Sequence, residues 1–189
     1  DKNTPLAMRF SDEFYRGFHL ANDAERGGTS NLTILNFDKL FLSWNRPQEH
    51  PDIVRVDLRE KLAPNKSVTL FLTYFSKIPS NQFTKYGYAT NGNLNLKNWY
   101  LTPARYENND FVKYSNSNLD DIANGICNFI IQFKIPKESA LTTDLVITNQ
   151  IEDKNQTSYY LEDSNRTDFS LFIESKSNFK SYQNDLNEV

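Results

Sequence analysis

The chain has 189 residues and 22.0 kDa, and its 21 basic against 24 acidic side chains leave a formal net charge of −3. A pI near 5.4 without any Lys/Arg cluster argues against nucleic acid as a partner. A mean hydropathy of −0.65 and the lack of any apolar run of about 18 residues exclude a membrane-crossing helix. Cys127 is alone and only His19 and His50 accompany it, so neither an intrachain disulfide nor a self-contained zinc site of common type is expected.

Taken in chain order, the segment Pro5 to Ala21 carries Leu6, Phe10, Phe14 and Phe18 four apart, which predicts a short N-terminal helix. Gly27-Gly28 ends it, and the apolar period then changes to two. Strands are predicted at Leu32–Ile34 and Leu40–Trp44. Val54, Val56 and Leu58 alternate with Arg55, Asp57 and Arg59, the pattern of a strand with one wet face. The turn residues Ala63-Pro64-Asn65-Lys66 then lead into Ser67 to Phe75, so these two strands are expected to pair as a hairpin. The polar stretch Glu107 to Ala123 reads as a long ordered loop. Beyond it, Asn128–Ile135, Asp144–Thr148, Thr157–Leu161 and Asp168–Glu174 are predicted strands. Further turns are expected at Ile78-Pro79-Ser80-Asn81, Asn91-Gly92-Asn93 and Asp163-Ser164-Asn165. The expectation is an all-β, antiparallel sandwich or curved sheet forming a single domain over residues 1–189.

Candidate chemistry is sparse. No Gly-rich phosphate loop, G-x-S-x-G elbow or H-E-x-x-H is present. His19 and His50 would need Glu49 or Asp52 to hold a metal, and the plainer reading is a locally hydrogen-bonded histidine in each case. Asp120-Asp121 are adjacent, so on a regular element they diverge, and a capping role suits them better than acid/base work. Cys127 opens an apolar strand, where a buried, inert thiol is the default. The sequons at Asn31, Asn65, Asn155 and Asn165 are what so Asn-rich a chain yields by chance. Aromatic residues make up 14% of the chain, enough either for a core of large rings or for a stacking platform such as Trp99, Tyr100 and Tyr106.

Between Glu49 and Tyr106 an ordered series stands out. It runs from Leu62-Ala63-Pro64-Asn65-Lys66-Ser67-Val68-Thr69-Leu70, through Lys77-Ile78-Pro79 and Phe83-Thr84-Lys85-Tyr86-Gly87-Tyr88, to Asn98-Trp99-Tyr100-Leu101-Thr102-Pro103-Ala104. This series resembles the N-terminal β domain of the gluzincin (thermolysin-like) zinc aminopeptidases, the aminopeptidase N group, in the form common among Bacteroidetes-like bacteria. Weaker echoes at Asn3–Ala7, Ser11–Phe14, Tyr114–Asp121 and Phe169–Phe172 extend the resemblance over nearly the whole chain.

The resemblance implies a non-catalytic domain that packs on the catalytic domain of the same polypeptide and helps to wall the substrate cleft. Catalytic residues, metal ligands and cofactors are then expected to be absent from this chain, with zinc held by the following domain. The chain would be a fragment with leading strands missing and an open sheet edge. Family likeness also implies export in a bacterium, although the residues themselves fix no compartment. In that family a Gln or Glu of this domain grips the α-ammonium of the peptide substrate. Asn98 occupies the nearest matching position and is shorter than Gln by about 1.5 Å, while Asn95 and Tyr100 are neighbours able to substitute. The other expectation, from a different class, is a stand-alone carbohydrate- or protein-binding β-sandwich.

Overall fold

The computed structural model describes residues 8, 9, 12, 20–48, 50, 52–113 and 124–175. Strands β1 (Gly28–Leu35), β2 (Trp44–Asn45), β3 (Arg55–Val56) and β4 (Phe71–Lys77) precede β5 (Gly87–Tyr88) and β6 (Leu94–Lys97). There follow β7 (Tyr106–Glu107), β8 (Asp110–Phe111), β9 (Cys127–Pro136), β10 (Ala140–Thr143), β11 (Val146–Glu152), β12 (Gln156–Arg166) and β13 (Ser170–Glu174). Every strand pairing among the described residues is antiparallel, so the all-β expectation holds. The helix expected over residues 5–21 lies largely outside the described residues. The chain forms two compact units, one of Asp1–Thr84 with Trp99–Gly125, the other of Lys85–Asn98 with Ile126–Val189.

In the first unit β1 pairs with β4, and β2 pairs with β3. Leu42 N donates to Ile34 O at 2.9 Å and Asp57 N to Ser43 O at 2.9 Å, which carries the ladder from β1 through residues 40–45 to β3. Leu32, Ile34 and Leu42 are buried at the centre, with Val54, Val56, Leu58, Leu70, Tyr74 and Leu101 packed around them. Residues two apart share a face, so this cluster is the inner side of the sheet. A bulge in β1 between Ser30 and Thr33, with Asn31 at φ 53°, resets that alternation.

The predicted hairpin of 54–58 with 67–75 does not form. Lys66 N donates to Ala63 O at 3.2 Å, so the turn exists, but the strands flanking it pair elsewhere, β3 with β2 and β4 with β1. Alternation fixes which face a strand buries and says nothing of its partner. The stretch read as a loop from Glu107 onward instead begins with the β7–β8 hairpin. Its two turn residues, Asn108 and Asn109, have φ 50° and 63°, the left-handed pair that a tight hairpin requires.

The second unit holds a four-stranded sheet in the order β10-β13-β6-β5 and a three-stranded sheet in the order β11-β12-β9. Along β9 and β12 the pairs Thr157–Ile135, Tyr159–Phe133 and Leu161–Ile131 fall on one face, where Ile135, Thr157, Tyr159 and Leu161 are buried. Leu96, Leu141, Leu171 and Ile173 are the buried apolar side chains of the other sheet. The chain passes between sheets at 137–139, at 144–145 and at 167–169. Two of these corners are stapled together. Asp144 Oδ2 receives Arg166 Nη2 at 2.5 Å, its Oδ1 accepts Ser170 N at 2.8 Å, and Thr143 Oγ1 donates to Ser170 O at 2.9 Å. Leu145 and Phe169 are buried at those same corners, and Phe169 meets Phe129 edge-on, the ring centroids being 4.9 Å apart. Strands β6 and β10, each four residues long, are not among the strands expected from the sequence.

Candidate functional site

The outer side of the sheet in the first unit is unusually apolar. Leu35 pairs with Phe71 on one flank and bridges Phe41 on the other, so the three side chains lie in one cross-strand row. Phe75, four residues along β4 from Phe71 and beyond Thr73, shares that face. Phe41 is 70% exposed, Phe75 69% and Phe37 72%. Lone domains seldom leave large rings so open in contiguous patches.

The turn that carries Phe37 is fixed by its own backbone. Lys39 N donates to Asn36 O at 3.0 Å, Asn36 N to Leu40 O at 3.0 Å, and Leu40 N to Asn36 Oδ1 at 2.9 Å. Lys39, at φ 63°, brings its Nζ to 3.1 Å from the centre of the Phe71 ring, a cation over a π face. The same side continues toward β3. Arg59, at φ 67°, donates its N to Asp57 Oδ1 at 2.9 Å and its Nη2 to Phe41 O at 2.7 Å. A shallow groove of about 580 Å³ runs beside it, lined among others by Trp44, Arg55, Asp57, Arg59 and Lys61. Its lining has no imidazole or thiol. This surface presents rings, guanidinium groups and the carboxylates of Asp57 and Glu60.

Asn95 sits on β6 between Gly87 and Phe172, and its Nδ2 donates to Lys85 O at 3.0 Å. Asn98 follows β6 in a left-handed conformation, φ 53°, a turn-making role. Both belong to the second unit, whereas Tyr100 belongs to the first. Tyr100 meets Trp99 edge-on at 5.7 Å, and the Trp99 carbonyl accepts Ser76 Oγ at 2.8 Å. Tyr106 is exposed and packs edge-on against Phe111 at 5.0 Å.

His50 makes backbone bonds within its loop, its N to Pro47 O and its O from Ile53 N, both at 3.0 Å. His19, Glu49 and Asp120-Asp121 lie outside the described residues. Cys127 is exposed, not buried as expected. It is the first residue of β9, beside the register shift between Asp163 and Arg166, and its Sγ is 3.6 Å from Arg166 O. No group of three or more His, Cys, Asp or Glu among the described residues is arranged to hold a metal ion. No helix among them is long and apolar enough to cross a membrane.

The exposed rings were missed for a physical reason, since a ring facing outward and a ring facing inward have the same sequence signature. Two signals were nonetheless present. Phe37 stands inside the turn residues Asn36-Phe37-Asp38-Lys39, and Phe71-Leu72-Thr73-Tyr74-Phe75 is apolar on both faces. Comparison with protein families, with curated proteins and with solved structures finds no match to this chain.

Proposed function

We propose that this chain is a non-catalytic β domain of a gluzincin-type zinc aminopeptidase, which packs on the zinc-bearing domain of the same polypeptide and helps to wall its substrate cleft. The observation that carries the reading is the outward row of Phe41, Leu35 and Phe71, with Phe75 exposed farther along the same face of β4 and Phe37 exposed in the turn after β1, a surface suited to being covered by another domain. The ordered motif series supports it, because its residues do turn and packing work. Asn65 closes the turn after Pro64 at φ 59°, Gly87 has φ 131°, and Leu101 N donates to Tyr74 OH at 3.1 Å. Catalysis and zinc then belong to the neighbouring domain.

The test has two arms. The gene region following Val189 should encode H-E-x-x-H with a distal Glu. The purified chain should neither retain zinc after dialysis nor hydrolyse aminoacyl-nitroanilides. Stoichiometric zinc with hydrolysis, or a following region without the motif, overturns the proposal. A second reading, a module that binds carbohydrate or protein by itself, draws on the exposed Tyr106 and on the groove beside Trp44. Saturable quenching of tryptophan fluorescence by an oligosaccharide would favour it.

A further inference from the structure

Strand β4 is an edge. Among the described residues its ladder runs to β1 on one side, and no other strand pairs with it. Leu72 makes the consequence visible. It stands opposite Ile34, which is 1% exposed, so it points to the core side, yet Leu72 itself is 41% exposed. A core-facing leucine so open is, among the described residues, left without a strand on the free side of β4. The usual protections of an edge are missing along its first six residues: no proline, no charge before Lys77, and the bulge of this ribbon lies in β1.

The edge is also self-complementary. Reversed about Thr73, the run Phe71-Leu72-Thr73-Tyr74-Phe75 sets Phe71 opposite a second Phe75, Leu72 opposite a second Tyr74, and Thr73 opposite itself. A two-fold axis normal to the sheet keeps each side's faces aligned, so ring meets ring outside and Leu meets Tyr inside. Aromatic and β-branched cross-strand pairs of this type are the stabilising unit of antiparallel sheets. We propose that a second copy of this chain pairs with β4 antiparallel, centred on Thr73, to make a continuous sheet of order β1-β4-β4-β1 across two protomers. The proposal is independent of the aminopeptidase reading.

Thr73 faces outward and is exposed, so charging it leaves the single chain's packing intact. At the axis, however, two like charges would stand directly opposite each other. Sedimentation velocity on the full chain, from low micromolar to near-millimolar concentration, should show a monomer–dimer equilibrium. Thr73→Lys and Thr73→Glu should each weaken self-association by about tenfold or more, with unchanged far-UV circular dichroism. Mixing the two variants should restore a dimer containing one of each. Phe75→Ser, at a second exposed position, should also weaken it. A wild-type chain monomeric throughout, variants that still form homodimers, or a mixture that stays monomeric would each overturn the proposal.

Discussion

Truncating Leu171 to alanine tests the packing of the second unit most directly. Leu171 lies in β13 between Thr143 of β10 and Leu96 of β6, and it is 0% exposed. The substitution removes a side-chain bulk of about three carbons, which at roughly 0.8 kcal/mol each amounts to about 2.4 kcal/mol of lost transfer energy. The cavity left between two paired neighbours raises this to about 3–4 kcal/mol, inside the range of about 2.7–5 found for buried leucines. For a unit of this size the midpoint of thermal unfolding should fall by about 12–30 °C, at roughly 4–8 °C per kcal/mol. The companion Phe75→Ala removes a larger side chain that is 69% exposed, so it should cost under about 1 kcal/mol. Urea unfolding followed by far-UV circular dichroism measures both, with the slope m held constant as the check on two-state behaviour. Trp44 and Trp99 both lie in the first unit, so their fluorescence reports that unit separately. A Leu171→Ala cost below about 1 kcal/mol, or one matched by Phe75→Ala, would refute the assignment of inner and outer faces.

Two further outcomes are expected. A Cβ at Gly27 would lie 2.9 Å from Pro79 Cδ and 3.0 Å from Lys77 O, so Gly27→Ala should destabilise by about 1–3 kcal/mol in the same urea experiment; a neutral result would mean that residues 77–79 do not abut Gly27. Glu25 accepts Asn22 N at 2.8 Å and Gln82 Nε2 at 2.6 Å, and the Asn22 bond above all, then that from Gln82, holds its carboxyl below the ordinary 4.5. A lowered folded-state value means that its contribution is full above about pH 4.5 and is lost as the pH falls through the lowered value. Thermal midpoints measured against pH should therefore fall less steeply on the acid side for Glu25→Gln than for the wild-type chain, and identical slopes would exclude the role.

Much of the fold is legible in the residues. Asn128–Ile135, Thr157–Leu161 and Asp168–Glu174 alternate or run apolar long enough to declare strands, and β9, β12 and β13 occupy those positions. The turn at Asn91-Gly92-Asn93 is present, with Ala89 N donating to Asn93 O at 2.8 Å and Gly92 at φ 87°. Strand partnership was not legible. The segments 54–58 and 67–75 look like neighbours because a turn separates them, yet both pack on the Leu32–Ile34–Leu42 cluster from different strands. The bulge at Asn31 was hidden for a similar reason, since one additional residue leaves no compositional trace. At the candidate surface, sequence supplied the rings but not their direction. Register supplied the direction, by placing Phe41, Leu35 and Phe71 in one row.

Left-handed backbone among the described residues falls on nine side-chain-bearing positions, and six of them are asparagines: 31, 65, 98, 108, 109 and 165. The whole sequence has six glycines, so asparagine closes bends that glycine closes elsewhere. An asparagine wanders over less conformational space than a glycine once the protein melts. The denatured chain should thus keep its reversals half-made, and refolding would begin from prearranged corners instead of a featureless coil.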